Sequence, residues 1–165
     1  MKALIQLAPI AVGLVAFAGA VAFTLPRNAT LGAWLIAGFL VAHGLVHIMF
    51  AAPPPAAANT PGAEFAFDPN RSWLVTTGSL SVGSVRAIVL VLVVATVIGY
   101  ALAAAATAGI LVPGSWWWAL VLGSTGSSGL LMLVGLSPGL ALGIAVDIAL
   151  FGIVLSRLWS PVNTT

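Results

Sequence analysis

Two histidines and one aspartate are the residues of this 165-residue chain whose types and surroundings suit chemistry. His43 and His47 are four apart in an otherwise apolar stretch, so a helix places both imidazoles on one face, one turn apart. Asp147 lies in a second apolar stretch. An ionisable side chain inside hydrocarbon costs about 2.5–3.5 kcal/mol on insertion scales, so each of the three needs a reason to be there.

Three kinds of functional site suit these residues. Two imidazoles at i and i+4 together with a carboxylate are ligands for zinc or copper, which makes His43, His47 and Asp147 the candidate metal ligands. In a second interpretation His43 and Asp147 form a proton relay, because histidine titrates near neutral pH. In a third, the histidines line a pocket for a quinone or a lipid headgroup. The alternative to all three is a structural role, with hydrogen bonds that hold helices together.

Composition assigns the chain to a membrane. Only 5% of the residues are charged, against about 25% in a typical soluble domain, and 61% are hydrophobic. This balance excludes a cytosolic enzyme, and a net charge of +2 gives no basic patch for nucleic acid. With no cysteine there is no thiolate metal site or thiol nucleophile. The sequence has neither a Walker-type phosphate loop nor a GxSxG motif, so we do not expect an enzyme.

Five apolar stretches are long enough to cross the hydrocarbon core, which takes about 20 residues. We therefore predict an all-α transmembrane bundle that forms a single integral membrane domain over 1–165, with a long loop at 53–84. The predicted spans are 3–25, 31–52, 86–106, 116–136 and 139–158. All six tryptophans lie near predicted span ends, which is typical of an interfacial aromatic belt.

Local signals mark several helix ends. Asn28 or Thr30 is expected to cap the second helix, and Pro113-Gly114-Ser115 to form a turn with a cap for the fourth. The segment beginning at Trp73 suits either a short interfacial helix or an early start of the third span.

The N-terminal segment also resembles a signal peptide, with Lys2, an apolar run and Ala20-Val21-Ala22. The uncharged stretch exceeds the 7–15 residues typical of a signal core, so we expect a retained helix.

The topology brings the candidate residues to one depth. The second and fifth helices run in opposite directions. At 1.5 Å per residue, His43 and Asp147 both lie roughly 10–13 Å from the side that holds the N-terminus. Arg86, at the start of the third span, is expected nearby. The positive-inside rule places that side in the cytoplasm, by three basic residues against two.

The centre of the fourth span, residues 123–129, contains only glycine, serine and threonine. Small residues let helix backbones approach closely, and we expect this segment to pack against a neighbour. The alternative is a broken helix whose free carbonyls bind an ion, as in a small transporter or channel.

The stretch from Leu31 to His47, with its His43-Gly44 pair, resembles the first helix of DoxX-like membrane proteins. These are small, usually four-helix prokaryotic proteins. Two features differ, since this chain has an additional N-terminal helix and has His47 where a lysine is common. The resemblance implies a loose link to quinone or thiol redox systems and an accessory role.

These features together predict an accessory or scaffolding subunit of a larger membrane complex in a prokaryotic inner membrane. The resemblance implies that this complex is a redox complex. The expected partners of the subunit are the lipid bilayer and other membrane-protein subunits, or further copies of itself. The sparse polar chemistry and the many small packing residues favour this function. The alternatives are a membrane protein with its own intramembrane site at His43, His47 and Asp147, and a small transporter or channel.

Overall fold

The computed structural model describes residues 2–52, 67–135, 140–157, 159 and 161, and in this part of the chain it contains helices and no strand. The helices are α1 (Lys2–Thr24), α2 (Ala29–Val46), α3 (Trp73–Thr76), α4 (Val82–Ala108), α5 (Trp117–Val134) and α6 (Ala141–Leu155). A 3₁₀ segment, His47–Ala51, continues α2 directly. The predicted all-α bundle is confirmed, with a long helix at each of the five predicted positions.

The predicted helix ends are partly correct. Asn28 caps α2 by accepting a hydrogen bond from the Leu31 amide at 2.9 Å. Helix α4 begins at Val82, four residues before the predicted 86, because Ser81 provides an N-cap at 3.1 Å from the Ser84 amide. Ser115 does not cap α5, since a 3₁₀ turn precedes that helix and it has no side-chain cap. Of the predicted loop 53–84, residues 53–66 lie outside the described part of the chain.

Three stretches of helix are long and apolar enough to cross a membrane: Ala29–Ala51, Val82–Ala108 and Gly114–Val134. The apolar stretches Ala8–Thr24 and Ala141–Leu155 are shorter. Four of the six tryptophans are largely exposed: Trp34, Trp73, Trp116 and Trp118. Trp117 is buried instead and packs edge-on against Trp159, with ring centroids 5.1 Å apart.

The core of the bundle is formed by α4, which packs against α2 on one side and against α5 on another. Glycines permit the closest approaches. A Cβ on Gly44 of α2 would lie 3.0 Å from Cβ of Tyr100 on α4, and a Cβ on Gly99 of α4 would collide with Oγ of Ser124 on α5. Helix α6 packs against α5, and α1 packs against α2 at the edge of the bundle.

The glycine- and serine-rich centre of α5 does not interrupt that helix, which is continuous from Trp117 to Val134. Its hydroxyls bond to carbonyls of the preceding turn, with Ser124 donating to Leu120 at 2.6 Å and Thr125 to Val121 at 2.8 Å. Ser124, Thr125 and Ser128 are all buried. The segment therefore serves close packing, as expected, and the broken helix of the alternative interpretation is absent here.

The contact between Gly99 and Ser124 predicts a stability difference between two glycine substitutions. In Gly99→Ala the new methyl must displace the Ser124 hydroxyl and break its bond to Leu120, so we expect a loss of about 1–3 kcal/mol in the free energy of unfolding. In the control Gly123→Ala the methyl meets no atom within 4 Å, and helix propensity favours alanine by up to about 1 kcal/mol. Unfolding in mixed micelles measures both, and equal stability of the two variants would contradict the packing.

Candidate functional site

A polar centre lies inside the bundle where four helices meet. It consists of His43 and His47 at the end of α2, Tyr100 of α4, Ser128 of α5 and Asp147 of α6. Tyr100 and Ser128 have no exposed surface, His47 is 1% exposed and Asp147 is 6% exposed. We call these five residues the polar centre.

Asp147 is the acceptor around which the polar centre is arranged. Its Oδ1 accepts from the Tyr100 hydroxyl at 2.8 Å and lies 2.9 Å from Nε2 of His43. Its Oδ2 lies 2.5 Å from the Ser128 hydroxyl. Because a carboxylate oxygen can only accept, Nε2 of His43 carries a proton. The expected common depth of His43 and Asp147 is confirmed by this direct contact.

His47 joins the centre through both ring nitrogens. Its Nδ1 lies 2.9 Å from the backbone carbonyl of His43, which can only accept, so Nδ1 carries a proton. Its Nε2 lies 2.6 Å from the Ser128 hydroxyl. Ser128 is thus held between His47 and Asp147, and a continuous line of hydrogen-bonded atoms runs from His43 through Asp147 and Ser128 to His47.

Local sequence explains why these groups can meet. The i, i+4 spacing places the two histidines on the side of α2 that faces α4. Gly44, between them, lets Tyr100 approach the α2 backbone. A second hydroxyl pair, Thr96 and Ser127, lies nearby between α4 and α5 at 2.9 Å. A buried seam of small and polar residues therefore joins these helices.

Sequence reasoning missed two members of the polar centre. Tyr100 is the only tyrosine of the chain and stands in an apolar helix, which was a usable signal. Ser128 was hidden among the small residues of α5, which we interpreted as packing residues only. The rotation of α4 and α5 about their axes brings both hydroxyls within hydrogen-bond distance of Asp147, and the sequence does not show that rotation.

Arg86 has no hydrogen bond to the polar centre within the described part of the chain. It lines a separate small cavity with Asn70, Phe67 and Phe50. Helix α4 begins four residues earlier than predicted, so Arg86 stands within its first turns rather than at its start.

The three predicted metal ligands are brought together. One ligand atom each of His43, His47 and Asp147 can be chosen so that all three lie within 4.8 Å of one another. Nitrogen and oxygen ligands stand about 2.0–2.2 Å from a small divalent cation, so the three atoms would have to move slightly closer together to hold one. Nε2 of His43 and Oδ1 of Asp147 are bonded to each other at 2.9 Å, so an ion that used these two atoms would have to displace that contact.

The contact between His43 and Asp147 predicts measurable energetic coupling. In a double-mutant cycle of His43→Ala and Asp147→Ala we expect about 1 kcal/mol of interaction free energy, a typical value for a buried polar pair in a membrane protein. The control cycle replaces Asp147→Ala by Ile148→Ala, the neighbouring residue, which is 66% exposed, and should show additivity. Unfolding in mixed micelles gives all the values, and additivity in the first cycle would refute the pairing.

Comparison with known proteins gives no family model, no curated protein and no solved structure that matches this chain. The resemblance to DoxX-like proteins therefore stays a prediction from residues 31–47.

Proposed function

We propose that this chain is a multi-pass protein of a prokaryotic inner membrane whose polar centre binds a proton within the bilayer and passes it between His47 and Asp147. The three helices long enough to span a membrane support the location. Four members of the centre are buried, and the side chain of His43 is only 9% exposed. This burial supports an intramembrane role. Ionisable groups at such depth mark proton and ion pathways more often than surface sites do.

One observation carries the proposal: the single proton of the Ser128 hydroxyl has two neighbours that both need one. Nε2 of His47 lies 2.6 Å from Oγ, and Oδ2 of Asp147 lies 2.5 Å from it. With a neutral His47 protonated on Nδ1 and an ionised Asp147, both neighbours are acceptors. One contact would then set two lone pairs against each other at short range. One additional proton removes that conflict.

The additional proton has two arrangements of equal net charge. In the first, His47 is an imidazolium that donates from Nε2 to Ser128, and Ser128 donates to the Asp147 carboxylate. In the second, Asp147 is a carboxylic acid that donates from Oδ2 to Ser128, and Ser128 donates to neutral His47. They interconvert when the Nε2 proton moves to Oγ while the Oγ proton moves to Oδ2. No other atom is required to move far.

The neighbours of Asp147 fit both arrangements. Tyr100 and His43 donate to Oδ1, which remains an acceptor whether or not Oδ2 is protonated. His47 likewise keeps its Nδ1 proton on the His43 carbonyl throughout. The surroundings therefore hold the ends of the path in place and leave the Ser128 hydroxyl as its only rotating part.

The role of Ser128 is tested by comparing Ser128→Ala with Ser127→Ala. We expect wild type to hold the additional proton as a protonated carboxyl, a His47 imidazolium or a mixture of both. Without the bridging hydroxyl, the proton should be held about tenfold more weakly, the equivalent of one hydrogen bond to a charged group. Infrared spectra report the carboxyl, with Asp147→Asn for assignment, and ¹⁵N spectra of histidine report the imidazolium.

Ser127→Ala is a matched control because that hydroxyl, on the same helix, bonds to Thr96 and not to the polar centre. It should titrate as wild type. If wild type shows a neutral His47 and an ionised Asp147 at every pH at which it is folded, the proton-binding function is wrong.

A divalent metal site is the second candidate function, supported by the close approach of the three ligand atoms.

The accessory-subunit role predicted from the sequence is compatible with both the proton site and the metal site, and it stays a proposal. The metal site and the accessory role are both tested by gentle purification from the native membrane, with His43→Ala/His47→Ala as control. Stoichiometric zinc or copper that is lost in the control would favour the metal site over the proton site. A monodisperse preparation free of other subunits would remove the support for the accessory role.

A further inference from the structure

A cavity of about 480 Å³ opens beside the polar centre, between α1, α2 and α6. Its walls are apolar side chains, among them Ile10, Phe39, Phe50 and Val146, and His43 and His47 are its only ionisable lining residues in the part of the chain that the structure describes. Sites for small molecules commonly have this volume and this combination of apolar walls with a few polar groups. The cavity is thus suited to a membrane-soluble molecule with one polar end.

His43 presents the polar group that such a molecule would meet. Its side chain is 9% exposed, and it lines the cavity. Its Nε2 is committed to Asp147, whereas Nδ1 has no hydrogen-bond partner among the described residues. In a neutral imidazole with the proton on Nε2, Nδ1 is an acceptor. Nδ1 of His43 can therefore accept a hydrogen bond from a ligand that carries a donor. A group that only accepts, such as a quinone carbonyl, cannot form this bond.

The walls on either side of the histidines are flat rings. The Phe39 ring lies almost parallel to His43, with centroids 5.9 Å apart and planes inclined by 6°. The Phe50 ring lies close to parallel to His47, at 6.3 Å and 16°. Aromatic walls favour an aromatic head through offset stacking and edge contacts. A flat ring that bears a hydroxyl can contact the Phe39 and Phe50 rings and also donate a hydrogen bond to Nδ1 of His43.

We propose that this cavity binds a lipophilic phenol, a molecule with an aromatic hydroxyl and an apolar tail, whose hydroxyl donates to Nδ1 of His43. The tail would lie along the residues of α1 and α6 that line the cavity. The proposal goes beyond the proton-binding function, because it needs the bond between His43 and Asp147 but no proton movement through Ser128.

The donor requirement is tested with three probes on full-length protein in nanodiscs, with empty nanodiscs to subtract partitioning into lipid. These are 4-octylphenol, its methyl ether 4-octylanisole, and dodecanol as a lipid-like alcohol. Titration followed by the ¹⁵N resonances of His43 should show saturable binding of octylphenol. We expect octylanisole to bind about tenfold more weakly, since it lacks one hydrogen bond. Equal affinity for the phenol and the ether would overturn the proposal.

Dodecanol separates the aromatic head from the hydroxyl alone. We expect it to bind several-fold more weakly than octylphenol, because it has the donor but cannot stack on Phe39 or Phe50. Binding as tight as that of the phenol would overturn the assignment of an aromatic ligand and point to a lipid alcohol instead.

The location is tested with tryptophan substitutions that leave His43 in place, because His43→Phe also removes a partner of Asp147. Ala42 lines the cavity, so Ala42→Trp should fill it and weaken octylphenol binding at least tenfold. Val41 is 41% exposed and does not line the cavity, so Val41→Trp is the control and should bind as wild type. Unchanged binding in Ala42→Trp would show that the phenol binds elsewhere.

Discussion

The structure depends on the need of one buried carboxyl group, that of Asp147, for partners inside the protein. Hydrocarbon supplies no hydrogen bonds, so every polar group at this depth must be satisfied by another helix. Three groups from three helices meet that need: His43 of α2, Tyr100 of α4 and Ser128 of α5. The depth and rotation of each helix are thereby fixed relative to α6.

Small residues make that convergence possible. Gly44 brings α4 close to the two histidines, and Gly99 brings α5 close to α4. A bulkier residue at either position would push apart the helices that carry Tyr100 and Ser128. Since helices in a membrane gain little from burying apolar surface against one another, such close contacts and the polar bonds across them supply much of the specificity. The packing seam and the polar centre are therefore parts of one arrangement.

The sequence predicted the helices and the depth of the site, but not the rotation of the helices. Apolar length located the five long helices, and counting residues placed His43 level with Asp147. Rotation was not predictable in α4 and α5, because a helix that is apolar all round has no polar face to show which side turns inward. For that reason Tyr100 and Ser128 were not assigned to the site. The start of α4 was predicted four residues too late, because Ser81 caps the helix before the charge of Arg86.

The position of Asp147 on α6 has a consequence for how the centre can respond to its surroundings. Within the described chain α6 packs mainly against α5, whereas the donors to Asp147 belong to α4 and to the two helices that pack against α4, which are α2 and α5. A shift of α6 would separate Asp147 from Tyr100 and His43 together, and would leave two buried donors without an acceptor. That penalty resists the shift while the centre is intact. Adding or removing the proton shared through Ser128 changes how strongly Asp147 accepts from those donors, because a carboxylate accepts more strongly than a carboxylic acid. Protonation and the attachment of α6 are thus linked by the same three hydrogen bonds.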